Sequence, residues 1–467
     1  ICLNGSHPKL RLYPTLSCQF SQVTGLDDIM SIRVKPHHTE FSKPCSHLIT
    51  VDDSNRISRF IEGETLGTEL AIKCGSCRCG RCPVTGDTFS IREEQELQLI
   101  RQNLHYKQSL KAWVTKYPWI KDPSELPDNY QAAVATLRNT ERTLRKDESW
   151  AKIYSEQIDD MVSRRVARKL SKEEIDSWKG PVFYISHLAV QNPKSSSTPV
   201  RIVFNSSQLF KGVSLNSFLA KGPDSYLNDL LGVLLRWRES PQVLVGDIRK
   251  MYNSIFIEAT EQHCHRFLWR KLEDREPDIY IIQRVNMGDR PAAAISSEAI
   301  YKTADMCQDS YPEVSNLLKH STYVDDIVHS VNSAEEARDL ARKTTDVLKN
   351  AGFTIKHWLF GGESSPRVGL DTPPPTVNSS NTQVLGGTWN SMTDTITFSA
   401  KINFSAKKKG ICTGPDLTKE QVPRLIPATL TRRSVLEQTM RIYDPIGILS
   451  PFLLRAKILL RETWALK

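Results

Sequence analysis

No apolar run in this 467-residue chain approaches the roughly 18 residues that a membrane span needs, and the first residues carry no secretory signal pattern. A spanning membrane role is therefore not expected. Cysteine is sparse, at ten residues, which is far from the density of a disulfide scaffold and predicts a reducing compartment. No Asp-Thr-Gly or Asp-Ser-Gly occurs, so no aspartic-peptidase active site can be placed within the chain. No internal repeat is visible. Acidic residues are in deficit, 53 against 62 Lys and Arg, and the resulting net charge of +9 favours a polyanionic partner, with nucleic acid first and an acidic lipid surface second. What remains is ordinary for a globular protein: 39% apolar and 25% charged residues, in a length that suits about two to four structural units. The chain begins with Ile and stops inside an apolar stretch of helical character, so it reads as a fragment of something longer.

The stretch that organises the chain is His320-Ser-Thr-Tyr323-Val-Asp325-Asp326-Ile-Val-His-Ser330. Its β-branched flanks predict two short strands with the Asp pair at their turn. Adjacent carboxylates repel unless a cation sits on them, and oxygen-only ligands select a hard divalent ion, Mg²⁺ first and Mn²⁺ second. A Tyr-x-Asp-Asp string alone is weak evidence. A third carboxylate, Asp247, strengthens it, because Val243-Leu-Val-Gly-Asp247 runs an apolar strand straight into an acid.

Along the chain, residues 1–72 are mixed and uninformative. Cys74-Gly-Ser-Cys77-Arg-Cys79-Gly-Arg-Cys82 then packs four thiols into nine residues. These suit either a tight zinc site or a reduced, basic connector, with Arg78 and Arg81 facing phosphate in both cases. The cluster lacks the His and Glu that a hydrolytic zinc site would want, which argues against a zinc nuclease. Helical spacing predicts helices over 91–114 and 132–178, broken by Tyr117-Pro-Trp and Asp122-Pro. Strands are expected at 182–185 and 199–205, with Lys194 in the intervening loop. A helix at 225–237 precedes the Asp247 strand. Val285-Asn-Met287-Gly288-Asp-Arg-Pro reads as a turn opening a small-residue helix at 292–305. An amphipathic helix follows at 334–351, then a strand at 353–356, the break Pro373-Pro-Pro375, and a short strand pair around Gln383-Val-Leu385-Gly386-Gly387-Thr-Trp389. A basic, loop-like stretch at 406–433 leads into helices over 430–467, interrupted at Asp444-Pro-Ile-Gly.

An Asp-ended strand, a Gly turn into a small-residue helix, and a Tyr-Val-Asp-Asp hairpin, in that order, resemble the palm of a reverse transcriptase. Four further runs resemble the Bel/Pao group of LTR retrotransposon polyproteins: Cys77-Arg-Cys-Gly-Arg-Cys-Pro83, Tyr117-Pro-Trp-Ile120, Thr198-Pro-Val-Arg-Ile-Val-Phe-Asn-Ser-Ser207 and Tyr443-Asp-Pro-Ile-Gly-Ile-Leu-Ser-Pro451. The resemblance covers residue 73 to the end. It implies an α+β right-hand polymerase: residues 1–72 a linker or protease tail, 73–86 the Cys cluster, 87–179 a helical extension, 180–400 fingers and palm, and 401–467 the start of thumb or connection. The family order of protease, reverse transcriptase, ribonuclease H and integrase would put the last two beyond residue 467.

By the same resemblance the activity is RNA-directed DNA synthesis, with RNA template, DNA primer and dNTPs as partners, in a cytoplasmic virus-like particle with access to the nucleus. Asp247, Asp325 and Asp326 would hold Mg²⁺ or Mn²⁺, and Cys74, Cys77, Cys79 and Cys82 a Zn²⁺. Arg201 and its companion Lys194 would clamp the triphosphate, a task that suits a bidentate guanidinium. Tyr252 would be the steric gate against a ribose 2′-hydroxyl. Met287 and Gly288 would pack beneath the nucleotide, although Met287 stands where many retroviral relatives carry Gln. Lys356 would protonate pyrophosphate, and Leu385, Gly386, Gly387 and Trp389 would grip the primer. Asn205 departs from an Asp common in relatives. A catalytically decayed, nucleic-acid-binding fragment is the rival reading; a proteolytic role comes after it.

Overall fold

The computed structural model describes residues 31–34, 89–191, 200–223, 226–362 and 381–399, and beyond these 404, 407–408, 411–412, 417–418, 420–447 and 449–465. The Cys cluster, Lys194 and the Pro373–375 break lie outside the described residues, as does all of 1–72 except Ser31–Val34.

The first unit is helical at its edges. α1 (Ile91–Asn103) opens with a capping box in which Ser90 accepts from the Glu93 amide and the Glu93 carboxylate accepts from the Ser90 amide. The helix expected over 91–114 ends at Asn103, and a β-hairpin of Leu104–Lys107 with Ala112–Thr115 takes over, turning at Lys111 with φ +46°. Burial explains the switch. Ala112, Trp113, Val114 and Thr115 are all buried, which suits a strand covered on both faces, and Thr115 pairs in parallel with Ile257. The helix expected over 132–178 divides into α2 (Tyr130–Leu144) and α3 (Glu148–Ser163), the latter capped by Asp147, before the strand Ala167–Lys169.

A hairpin follows, β1 (Ser186–Gln191) against β2 (Val200–Asn205), antiparallel with Val190 opposite Arg201. It rests on α2 and α3 through buried polar links. Thr140 donates to the His187 carbonyl at 2.9 Å, and the Tyr154 hydroxyl meets His187 Nδ1 at 2.6 Å. The strand expected at 182–185 is reduced to a single bridge at Tyr184, with regular pairing starting at Ser186.

After the helix α4 (Leu230–Arg236), which forms within the expected 225–237, the centre is a four-stranded antiparallel sheet. β3 (Gln242–Ile248) lies between β5 (Asp326–Val331) and β6 (Ile355–Phe360), with β4 (Thr322–Tyr323) at the outer edge of β5. Alternate residues enter separate cores. Leu244, Ile248, Ile327 and Trp358 join the large core beneath α5 (Ala292–Cys307), α6 (Pro312–His320) and α7 (Ala334–Asn350). Val243, Val245, Val328 and Leu359 join a smaller core with Trp237 and Trp389. A sheet buried on both faces needs continuous apolar strands, which is why Val243-Leu-Val reads as an unbroken run. Ala292, Ala294, Ser296 and Ala299 of α5 are buried, and such small side chains let neighbouring elements approach closely.

A second antiparallel sheet contains β7 (Asn381–Val384), β8 (Gly387–Asn390) and β9 (Thr395–Ser399), the last pairing also with Ser31–Val34. Two helices, Arg432–Thr439 and Ser450–Ala465, flank the expected interruption at 444–447. The α+β class inferred from sequence holds. Among the described residues no helix is long and apolar enough to cross a membrane.

Candidate active site

Three carboxylates meet where β3 ends and β5 begins. Asp247 is directly opposite Asp326 in the antiparallel register, and Asp325 occupies the turn before β5, its carbonyl accepting from the Ile248 amide at 2.8 Å. Like charges on opposed residues of an antiparallel pair repel. The turn is itself held in an uncommon conformation, since the β-branched Val324 adopts φ +55°. Burial, followed by the Asp325 and Asp247 charges, pushes the Asp326 carboxyl up to about 7. Asp325 is likewise raised, by burial first, with Asp247 adding to it and Lys356 opposing. One cation already stands at the edge: Lys356 Nζ is 3.2 Å from Asp247 Oδ2.

This arrangement suits a hard divalent ion. Among the described residues no group of three or more His, Cys, Asp or Glu side chains is placed to hold a metal ion. Mg²⁺ does not demand one, because it keeps several waters and takes one or two carboxylates plus substrate phosphates. Burial is the main cause that raises Asp325 and Asp326, and the mutual repulsion that adds to it is what a bound cation would relieve.

Around the carboxylates, Tyr252 lies half-buried in the short helical turn Met251–Ser254, close enough to Asp325 that its phenol is raised, by burial first and then by that charge. Leu385, at the tip of the β7–β8 hairpin, is buried in the smaller core, against which Tyr323 also packs. Trp389 requires a correction. Its ring is fully buried, edge-on to Trp237 at 5.6 Å between centroids, and its indole donates to Asp394 at 2.9 Å. It builds the hairpin that presents Leu385, Gly386 and Gly387, and its ring has no face left for a primer.

Arg201 lies on β2, and Gly288, after Met287, lies against the same strand at Phe204. Arg201 is exposed on β2. Met287 is 78% exposed in the turn before α5. Gly288 approaches β2 so closely that a Cβ there would come within 2.4 Å of the Phe204 carbonyl oxygen, and its own carbonyl accepts from Asn216 at 3.0 Å.

Sequence reasoning missed what anchors this turn. Asp289 is fully buried and accepts from Ser206 Oγ at 2.6 Å, from the Tyr117 hydroxyl, and from Asn286 at 3.3 Å, with His265 Nε2 at 3.1 Å. Burial alone would raise its pKa, but the neighbouring His265 and the hydrogen bonds win and hold it below the usual carboxylate range. Tyr117 stacks on His265 at 4.4 Å and is raised well above an ordinary phenol, by burial first and Asp289 next. The available signal was that Asp289 follows Gly288 and that Tyr117 opens the Tyr-Pro-Trp-Ile run.

Residues 431–467 match a family model described as the Pao retrotransposon-like RNaseH-like domain, a segment inside the 401–467 range read from sequence as thumb or connection. No curated protein matches the chain. Among solved structures, the chain is similar to the foamy viral protease-reverse transcriptase in complex with an RNA/DNA hybrid, at 14% identity and a TM-score of 0.39, covering 92% of this chain and 47% of that one. It is also similar to a foamy viral protease-reverse transcriptase dRH in complex with double-stranded DNA, at 17% identity and TM-score 0.30, over 44% of this chain and 29% of that one. A Prototype Foamy Virus protease-reverse transcriptase mutant gives 19% identity and TM-score 0.30, over 42% and 22%. The chain therefore spans less than half the length of each of these three proteins. At its C-terminal end the chain is thus similar to a Pao retrotransposon family model, and the signature runs from residue 73 onward resemble the same group.

Proposed function

We propose that this chain is an RNA-directed DNA polymerase, extending a DNA primer on an RNA template from dNTPs. The observation that carries the reading is the cross-strand pairing of Asp247 with Asp326, with Asp325 in the adjoining turn. Phosphoryl transfer needs little covalent help from protein; it needs positioning and charge neutralisation. Divalent ions, when bound, draw charge from the α-phosphate and steady the attacking and leaving oxygens. Asp247, Asp325 and Asp326 would hold these ions, Mg²⁺ or Mn²⁺. Lys356, on the edge strand beside Asp247, is placed to move toward the departing pyrophosphate. Tyr252, beside Asp325, would press on the sugar, and Arg201 with Lys194 would clamp the phosphates. The net charge of +9 suits the polyanionic template and primer. Protease, ribonuclease H and integrase would be neighbours in the polyprotein, and the four cysteines from Cys74 to Cys82 would take Zn²⁺.

The test is extension of a labelled primer on RNA with Mg²⁺ or Mn²⁺, comparing wild type with Asp247→Asn. Extension by wild type alone supports the reading. Tight primer–template binding with no extension by either protein replaces it with the decayed binding fragment. Neither binding nor extension removes both.

A further inference from the structure

One face of α3 is tied both to β2 and to the chain just past β3. Gln157 takes the place of a neighbouring strand along the edge of β2. Its side-chain amide donates to the Val200 carbonyl at 2.8 Å and accepts from the Ile202 amide at 3.3 Å, which fixes the peptide units on either side of Arg201. Three residues along, and therefore on the same face, Asp160 meets Lys250 Nζ at 3.1 Å. Side chains so spaced start about 5–6 Å apart, which brings the Arg201 segment and the Lys250 ammonium to one side of the helix, on the order of 10 Å from each other.

Lys250 is also near the carboxylates and strained. Three trans peptides separate it from Asp247, so their Cα atoms stand at most about 11 Å apart. Lys250 holds φ +48° at the head of the Met251–Ser254 turn that carries Tyr252, a left-handed conformation that is unfavourable for a residue with a side chain and concentrates at functional sites.

The Asp160–Lys250 pair opens easily. Lys250 and Asp160 are 47% and 45% exposed, and such pairs hold weakly. Asp160 would not be stranded, because Arg164 bonds it through Nε at 2.9 and 3.0 Å and through Nη2 at 2.8 Å. The surroundings are basic. Arg284 lies 3.2 Å from the Phe256 ring centroid and donates to the carbonyls of Arg165 and Ser254, and burial first, then the Arg164 and Arg165 charges, brings it down to about 10.

We propose that Lys250 is a phosphate-binding residue of the nucleotide site, parked on Asp160 until a nucleotide's triphosphate draws its ammonium away, with Arg201 as its counterpart on the same face of α3. The inference rests on the polymerase reading, which it deepens by naming a cation from the β3 side.

A structural ion pair and a parked phosphate ligand predict different behaviour of the two partners. In single-nucleotide incorporation on an RNA template, Lys250→Met should raise KM for dNTP about tenfold or more, the loss of one charge-assisted hydrogen bond. Asp160→Asn should leave it unchanged or lower it about twofold, since it removes only the competitor. Primer–template Kd should stay within about twofold in both. A dNTP KM unchanged in Lys250→Met, a KM raised in both variants, or a loss of primer–template affinity in place of dNTP affinity overturns the proposal. Should wild type fail to extend a primer, the polymerase reading fails by itself, and calorimetric binding of inorganic tripolyphosphate to the full chain decides the phosphate site. Weaker binding by Lys250→Met, with Asp160→Asn equal to wild type or tighter, supports it. No binding by wild type, equal binding by Lys250→Met, or weaker binding by both variants overturns it.

Discussion

Replacing Gly288 with Ala converts a close approach into a measurable displacement. The new Cβ would stand 2.4 Å from the Phe204 carbonyl oxygen and 3.4 Å from its carbon. The obstacle is backbone in a paired strand, so no flexible side chain can swing aside, and restoring van der Waals contact needs a shift of roughly 1 Å in β2 or in the 285–291 turn. Neither can move alone. Asp289 ties the turn to Ser206, just beyond β2, and Asn216 donates to the Gly288 carbonyl. The strain should cost about 1–3 kcal/mol of stability, which leaves most molecules folded. A misplacement of about 1 Å at groups that position a reactant costs about a hundredfold, or about 2.7 kcal/mol of barrier. Single-nucleotide incorporation on an RNA template should therefore show kcat/KM down about a hundredfold, while Tm falls by only a few degrees. A variant with kcat/KM within about threefold of wild type would refute the argument that this turn and β2 jointly shape the nucleotide path.

Tyr252→Ala should admit ribonucleotides, read as a fall in the dNTP over rNTP ratio of kcat/KM; an unchanged ratio removes the gate assignment. Trp389→Ala empties a fully buried ring position and leaves Asp394 without its indole partner, so urea denaturation should show a loss of about 3–5 kcal/mol. His329, held down to about 4 by burial first and by Arg236 next, is neutral in the folded protein, whereas an unfolded His titrates near 6.5. The unfolded state therefore takes the proton first, and this contribution to stability, complete above about pH 6.5, is lost as pH falls toward 4, at up to about 1.4 kcal/mol per unit. His329→Gln should flatten that slope in denaturation curves taken across the window, and an identical slope would discount the assignment.

The carboxylate end of the fold was legible because it is local. An apolar run ending in Asp247, and β-branched flanks around Asp325 and Asp326, follow from strand chemistry, and β3, β4 and β5 form there. The small-residue helix from Ala292 and the amphipathic helix from Ala334 also declared themselves by composition and periodicity. Local spacing failed at 104–115, where burial on every side, set by residues as distant as Thr303 and Ile257, overrides a helical pattern. The same limit hid the site's supports. Nothing within a few residues of Asp289 announces Tyr117 or His265. Trp389 misled for the related reason that an aromatic beside two glycines looks like a contact surface until its neighbour across the core, Trp237, is known.

The opposition of Asp247 and Asp326 across β3 and β5 has an evolutionary corollary. Two like charges facing each other in an antiparallel pair are a standing burden on the sheet, retained only while the chemistry is under selection. In a copy released from that selection, neutral substitutions at either position would make the protein sturdier while ending its activity. On the polymerase reading, inert descendants should therefore be better folded than active copies, and a silent lineage would lose its carboxylates well before it lost its shape.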